Sequence, residues 1–190
     1  MRQPVKCLLA AARCEILWLF KADGVEVGGV AMPVTLAGSC RCGAVRFTLG
    51  SHTPYPFMRC YCSICRKTGG GGGYAINLMG VASTLRVEGL GRVGHFRVAT
   101  DPDTPACERH FCTSCGSALW VSDRRWPEHV HPFASAIDSP LPVPPSRTHI
   151  MLDFKADWVT PDIRPQDKSF PRYPDQSIED WHRTHSLWID

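Results

Sequence analysis

Apolar and polar residues alternate along several short stretches of this chain, and the alternation predicts its elements. Ala44-Val45-Arg46-Phe47-Thr48-Leu49 sets Val45, Phe47 and Leu49 against Arg46 and Thr48, the period of two that a half-buried strand shows. Thr84-Leu85-Arg86-Val87-Glu88 and His95-Phe96-Arg97-Val98 repeat the habit, and residues 117–121 (Ser-Ala-Leu-Trp-Val) and 148–154 (Thr-His-Ile-Met-Leu-Asp-Phe) are expected to be further strands. Glycines at 43, 50, 80, 89, 91 and 94 punctuate these segments. Strands this short, joined by glycine turns, predict a mainly β fold of short antiparallel sheets.

The pattern breaks in three places. Ser139-Pro140-Leu141-Pro142-Val143-Pro144-Pro145 excludes both helix interior and sheet ladder, because each proline lacks an N–H, and so predicts an extended surface connection. After Trp158 the chain turns proline- and charge-rich, and only Ser177-Ile178-Glu179-Asp180-Trp181-His182 has the form of a short capped helix. Residues 1–31 differ from the rest. Leu8 to Phe20 has an apolar bias behind Arg2 and Lys6 that faintly imitates a secretory signal, but Arg13 and Glu15 interrupt it and no small-residue cleavage site follows. The expectation is that Met32 is the natural start and the upstream segment dispensable; the alternative is an ordinary amphipathic N-terminal helix.

Composition narrows the class. A chain of 190 residues with 44% hydrophobic content can bury one ordinary core. The 21 basic and 18 acidic side chains, net +3, are interspersed without a block of one sign, which argues against a nucleic-acid partner. No run of about 18 apolar residues occurs, so no transmembrane helix is expected.

The candidate chemistry lies in the cysteines. Cys40-Arg41-Cys42-Gly43, Cys60-Tyr61-Cys62-Ser63-Ile64-Cys65 and Cys112-Thr113-Ser114-Cys115-Gly116 place seven of the ten cysteines in a two, three, two pattern. These spacings suit zinc better than a disulfide framework, which belongs to short secreted chains; thiols free to bind metal imply a reducing cytoplasm. Since a closed tetrahedral site takes four ligands, the pattern divides into four plus three. Cys40, Cys42, Cys112 and Cys115 form the expected structural zinc site, each knuckle followed by a glycine able to take positive φ. A saturated four-thiolate site contributes to folding.

Cys60, Cys62 and Cys65 have no obvious fourth cysteine, and three protein ligands with an open position is the pattern of a reactive zinc. Three thiolates leave the ion net negative and ill suited to making hydroxide, but able to hold an incoming thiol deprotonated. Arg66 and Lys67 follow, then the glycine run that begins at Gly69 and Gly70; together they suit a small thiol bearing carboxylates. Two readings stand side by side here. A fourth ligand from His110, His131, Cys107 or water would make the site purely architectural, and the glycine run a plain loop.

These motifs resemble the glutathione-dependent formaldehyde-activating enzyme family, whose fold is similar to the Mss4-like β fold and whose relatives include centromere protein V. The matching text is Gly38-Ser39-Cys40-Arg41-Cys42-Gly43-Ala44-Val45, Cys60 to Gly69, and Arg109-His110-Phe111-Cys112-Thr113-Ser114-Cys115-Gly116-Ser117, with Lys155-Ala156-Asp157-Trp158 and Ser177-Ile178-Glu179-Asp180-Trp181 further on. The resemblance implies two zinc ions, the catalytic one at Cys60, Cys62 and Cys65, and glutathione as the thiol partner. It implies a carbon–sulfur lyase that interconverts S-hydroxymethylglutathione with formaldehyde and glutathione; the alternatives are a related enzyme on another thiol or carbonyl adduct, and a non-catalytic zinc-stabilised binding module. One position departs from the pattern: Tyr61 stands where the family usually has histidine. The expected division is an extension at 1–34, a zinc-binding domain at 35–160, and a tail at 161–190 with a short helix packing on or flanking the domain.

Overall fold

The computed structural model describes residues 33–69, 71–99 and 106–190; the expectations for residues 1–31 and for Gly70 lie outside them. The described residues begin with a hairpin, β1 (Val34–Ser39) and β2 (Arg46–Ser51), paired from Val34↔Ser51 to Ser39↔Arg46. The alternation read from the sequence holds across it: Val45, Phe47 and Leu49 are buried while Arg46 and Thr48 are exposed. Then follow β3 (Met58–Cys60), the helix α1 (Ser63–Gly69), β4 (Ala75–Ile76), β5 (Gly80–Val81), β6 (Arg86–Glu88), β7 (Val93–Val98), β8 (Cys107–Cys112), β9 (Ala118–Ser122), β10 (His129–Pro132), β11 (Thr148–Ile150), β12 (Lys168–Ser169) and the helix α2 (Ile178–Thr184).

Among the described residues the strands form three small sheets. The first has the order β1-β2-β6, the second β5-β10-β9-β8-β7, the third β12-β11-β3-β4. The first two are antiparallel throughout, as expected, but in the third β11 runs parallel to both β3 and β12. Residues far apart in the chain supply those parallel partners, which is why local patterning did not reveal them. Phe47 of the first sheet packs edge-on against Trp120 of the second, ring centroids 5.4 Å apart, and the core continues through Leu36, Leu49, Leu78, Leu119 and Phe133.

Residues 148–154 are shorter as a strand than their pattern predicts. β11 stops at Ile150 because Met151 takes a left-handed conformation (φ 62°) and Leu152–Phe154 close a 3-10 turn. Residues 139–147 carry no strand or helix, as the prolines require. The capped helix forms as α2: the Ser177 hydroxyl accepts the Asp180 N–H at 3.0 Å, and the Asp180 carboxylate accepts the Ser177 N–H at 3.3 Å. This reciprocal pair satisfies two donors that a helix start leaves free. α2 is tied down by Trp181, stacked on Phe57 with centroids 3.8 Å apart.

Candidate metal centres

Two hairpin ends bring the outer cysteine pairs together. Cys40 follows β1 and Cys42 lies in the turn to β2; Cys112 ends β8 and Cys115 lies in the turn to β9. Each turn closes in the same way. The Gly43 N–H donates to the Cys40 carbonyl at 3.0 Å, the Gly116 N–H donates to the Cys112 carbonyl at 2.8 Å, and both glycines have φ 74°, where a Cβ would be strained. The Val45 N–H donates to Cys40 Sγ at 3.2 Å. All four sulfurs lie within 4.8 Å of one another, with Cys40 to Cys42 at 3.5 Å and Cys42 to Cys112 at 3.8 Å. Zinc–sulfur bonds of about 2.3 Å would set tetrahedral sulfurs about 3.8 Å apart, whereas a disulfide requires about 2.05 Å. The spacing fits a metal ion and excludes bridges, and all eight described cysteines are free thiols.

Cys60, Cys62 and Cys65 form a second cluster, from the end of β3 and the first turn of α1, and all three are buried. Their sulfurs also lie within 4.8 Å of one another; among the described residues no fourth cysteine, histidine or carboxylate joins that group. Hydrogen bonds from Cys60 and then Cys65 pull the Cys62 thiol down to about 2, while Cys62 and Cys65 push the Cys60 thiol far up. The opposed directions have one cause: sulfurs this close cannot all carry charge unless a cation lies among them. This donor set fits zinc as well as the first.

The three-cysteine cluster opens on a cavity of about 440 Å³. His131 and Cys107 line it but stand outside the sulfur group. His131 Nδ1 is hydrogen-bonded to the Leu78 carbonyl at 2.8 Å, and loss of water around the ring lowers its pKa to about 4, so it is neutral at pH 7. His110 is elsewhere, bonded to the Ser122 hydroxyl at 3.0 Å and stacked on Trp120. Arg66 and Lys67, on the helix that carries Cys65, do not line this cavity; Lys67 is exposed and borders a separate one with Phe96 and Phe111. Gly69 is demanded by packing, since a Cβ there would meet the Tyr74 carbonyl oxygen at 2.6 Å.

A cation that the sequence reading did not assign to the site stands at the cluster. Arg109 is 6% exposed. Its Nη2 donates to Cys65 Sγ at 3.5 Å and its Nη1 to the Thr68 hydroxyl at 3.3 Å, with the guanidinium 5.6 Å from the Phe133 ring. Strand parity places it there: Cys107 and Arg109 of β8 line the cysteine cavity, and Glu108 and His110 line another. That parity is the one local signal that could have found it. Asn77 also touches Cys65 Sγ through Nδ2, at 3.9 Å.

A β scaffold that gathers seven cysteines into one four-sulfur and one three-sulfur group has the donor sets of a cysteine-ligated metal-binding protein. The comparison of sequences makes this specific: the chain belongs to the glutathione-dependent formaldehyde-activating enzyme family, whose profile matches residues 35–153. A Halomonas elongata protein named "Putative glutathione-dependent formaldehyde-activating enzyme" is 62% identical over 147 residues, spanning 77% of this chain and 94% of that one. Among solved structures, a Rhodobacter sphaeroides protein is 27% identical with a TM-score of 0.45, over 56% of this chain and 91% of that chain.

Proposed function

We propose that the protein is a zinc-dependent carbon–sulfur lyase that interconverts S-hydroxymethylglutathione with formaldehyde and glutathione. The observation that carries this reading is the three-cysteine cluster, open to a cavity and joined by no fourth ligand among the described residues. Family membership and the name of the Halomonas relative support it. Cys60, Cys62 and Cys65 would hold one zinc ion, and Cys40, Cys42, Cys112 and Cys115 a second, structural one. When bound at the three thiolates, zinc supplies a position at which an incoming thiol is kept deprotonated near neutral pH.

In the lyase direction the carbon–sulfur bond breaks with its electron pair passing to sulfur. The hydroxyl O–H pair becomes the second bond of the aldehyde carbonyl, and the proton leaves to solvent. Arg109, held at Cys65, offsets negative charge where it accumulates. Arg66 and Lys67, beside Gly69 and Gly70, are proposed to meet the glutathione carboxylates outside the cavity. The free cysteines favour a reducing compartment, the cytoplasm; among the described residues no helix is long and apolar enough to cross a membrane. Residues 35–160 are read as the zinc-binding domain and 161–190 as its tail.

The test is zinc stoichiometry of the purified protein together with formaldehyde release from S-hydroxymethylglutathione. The expected result is two zinc ions per chain and release faster than in buffer. A zinc-loaded protein that leaves the rate unchanged would overturn the reading.

A further inference from the structure

The three-cysteine cavity has an apolar wall that a one-carbon substituent on sulfur is too small to cover. Met58 and Ile150, on the two strands that meet at Cys60, form one part of its lining with Met151, and Trp126, Tyr173 and Ile178 form another. The last two come from the C-terminal segment, beyond the residues that match the family profile. Several polar groups in the lining are already engaged, while Arg109 Nε and Asn77 Oδ1 are buried without a partner. Arg125 is held by the Asp123 carboxylate, Arg109 by Cys65 and Thr68, and His131 by the Leu78 carbonyl. A hydroxymethyl group is too small to cover the apolar wall formed by Trp126, Tyr173 and Ile178. Only an apolar substituent on the carbon next to sulfur would bury that wall.

We infer that the preferred substrates are thiol adducts of larger, apolar aldehydes, with the aldehyde's alkyl or aryl part against Trp126, Tyr173 and Ile178. This rests on the proposed thiol–aldehyde chemistry and adds the substrate class to it. The bond changes are the same: carbon–sulfur cleavage returns a thiolate, the longer aldehyde and one proton.

The experiment measures binding of glutathione, S-methylglutathione and S-hexylglutathione to the zinc-loaded full chain by calorimetry, with the change in intrinsic tryptophan fluorescence as a second signal. Each fully buried methylene contributes up to about fourfold in affinity, so the hexyl compound is expected to bind at least about tenfold more tightly than the methyl one. Tyr173→Ser and Ile178→Ala should each narrow that ratio; Tyr173 is 65% exposed, so its variant tests the wall without disturbing the core. If glutathione binds but chain length changes nothing, or if the preference survives both variants intact, this inference is overturned while the proposed function stands. If none of the three binds, both are overturned.

Discussion

The hydroxyl of Tyr61 lies 2.9 Å from Nδ1 of His149, in a wholly buried contact that turns away from the cysteine cavity. His149 Nε2 approaches Asp167 Oδ2 at 3.5 Å without closing a hydrogen bond; a hydrogen on Nε2 is the one that carboxylate favours, and it leaves Nδ1 to accept from Tyr61. Burial raises the phenol pKa and keeps that proton in place. Tyr61 therefore anchors the peptide between Cys60 and Cys62 to β11, where His149 in turn faces Asp167 of the C-terminal segment. Tyr61→Phe would leave a buried nitrogen without its partner, at about 1–3 kcal/mol. Thermal unfolding should shift down accordingly, and metal analysis of the same samples should still find two zinc ions.

Arg109 has a different consequence. A metal ion on three thiolates is net negative, and this buried guanidinium bonds one of them directly. Arg109→Met should weaken zinc retention at the three-cysteine site by about 10–100-fold, and Arg109→Lys by less, measured by competition with a chromophoric chelator. Zinc at the four-cysteine site should be unaffected in both.

The two clusters should also respond differently to loss of a ligand. Cys112 is fully buried where the first hairpin meets β8, and a structural zinc site contributes on the order of 10 kcal/mol to folding. Cys112→Ser is expected to abolish the cooperative transition seen by circular dichroism. Cys62→Ser is expected to stay folded, to hold one zinc ion, and to lose thiol–aldehyde turnover.

Acid should loosen the C-terminal helix first. His182 is fully buried, donates from Nδ1 to the Ile178 carbonyl at 2.7 Å, and accepts the Tyr55 N–H on Nε2 at 3.3 Å. Burial, with a smaller contribution from the neighbouring His185, lowers its pKa below the ordinary 6.5, and a proton on Nε2 would displace the Tyr55 N–H. The folded state binds this proton less tightly than the unfolded chain, so the stabilisation is fully present above about pH 6.5 and is lost as pH falls through the lower folded value. His182→Gln should flatten the dependence of stability on pH between neutrality and pH 5, read from denaturant unfolding.

The sequence by itself determined the strand alternation of β2, the two cysteine knuckles with their glycines, the grouping of thiols into four and three, and the capped helix at Ser177. Each depends on neighbours within a few residues, where period, turn conformation and ligand spacing act directly. Tertiary structure alone decided the parallel pairing of β11 with β3 and β12, the approach of Arg109 to Cys65 across forty-four positions, and the turning of Tyr61 toward His149. It also brought Tyr173 and Ile178 onto the cavity wall while leaving Arg66 and Lys67 off it. Those contacts come from sheet register and from which side of a strand faces which layer, and no local run of residues specifies a partner so distant in the chain.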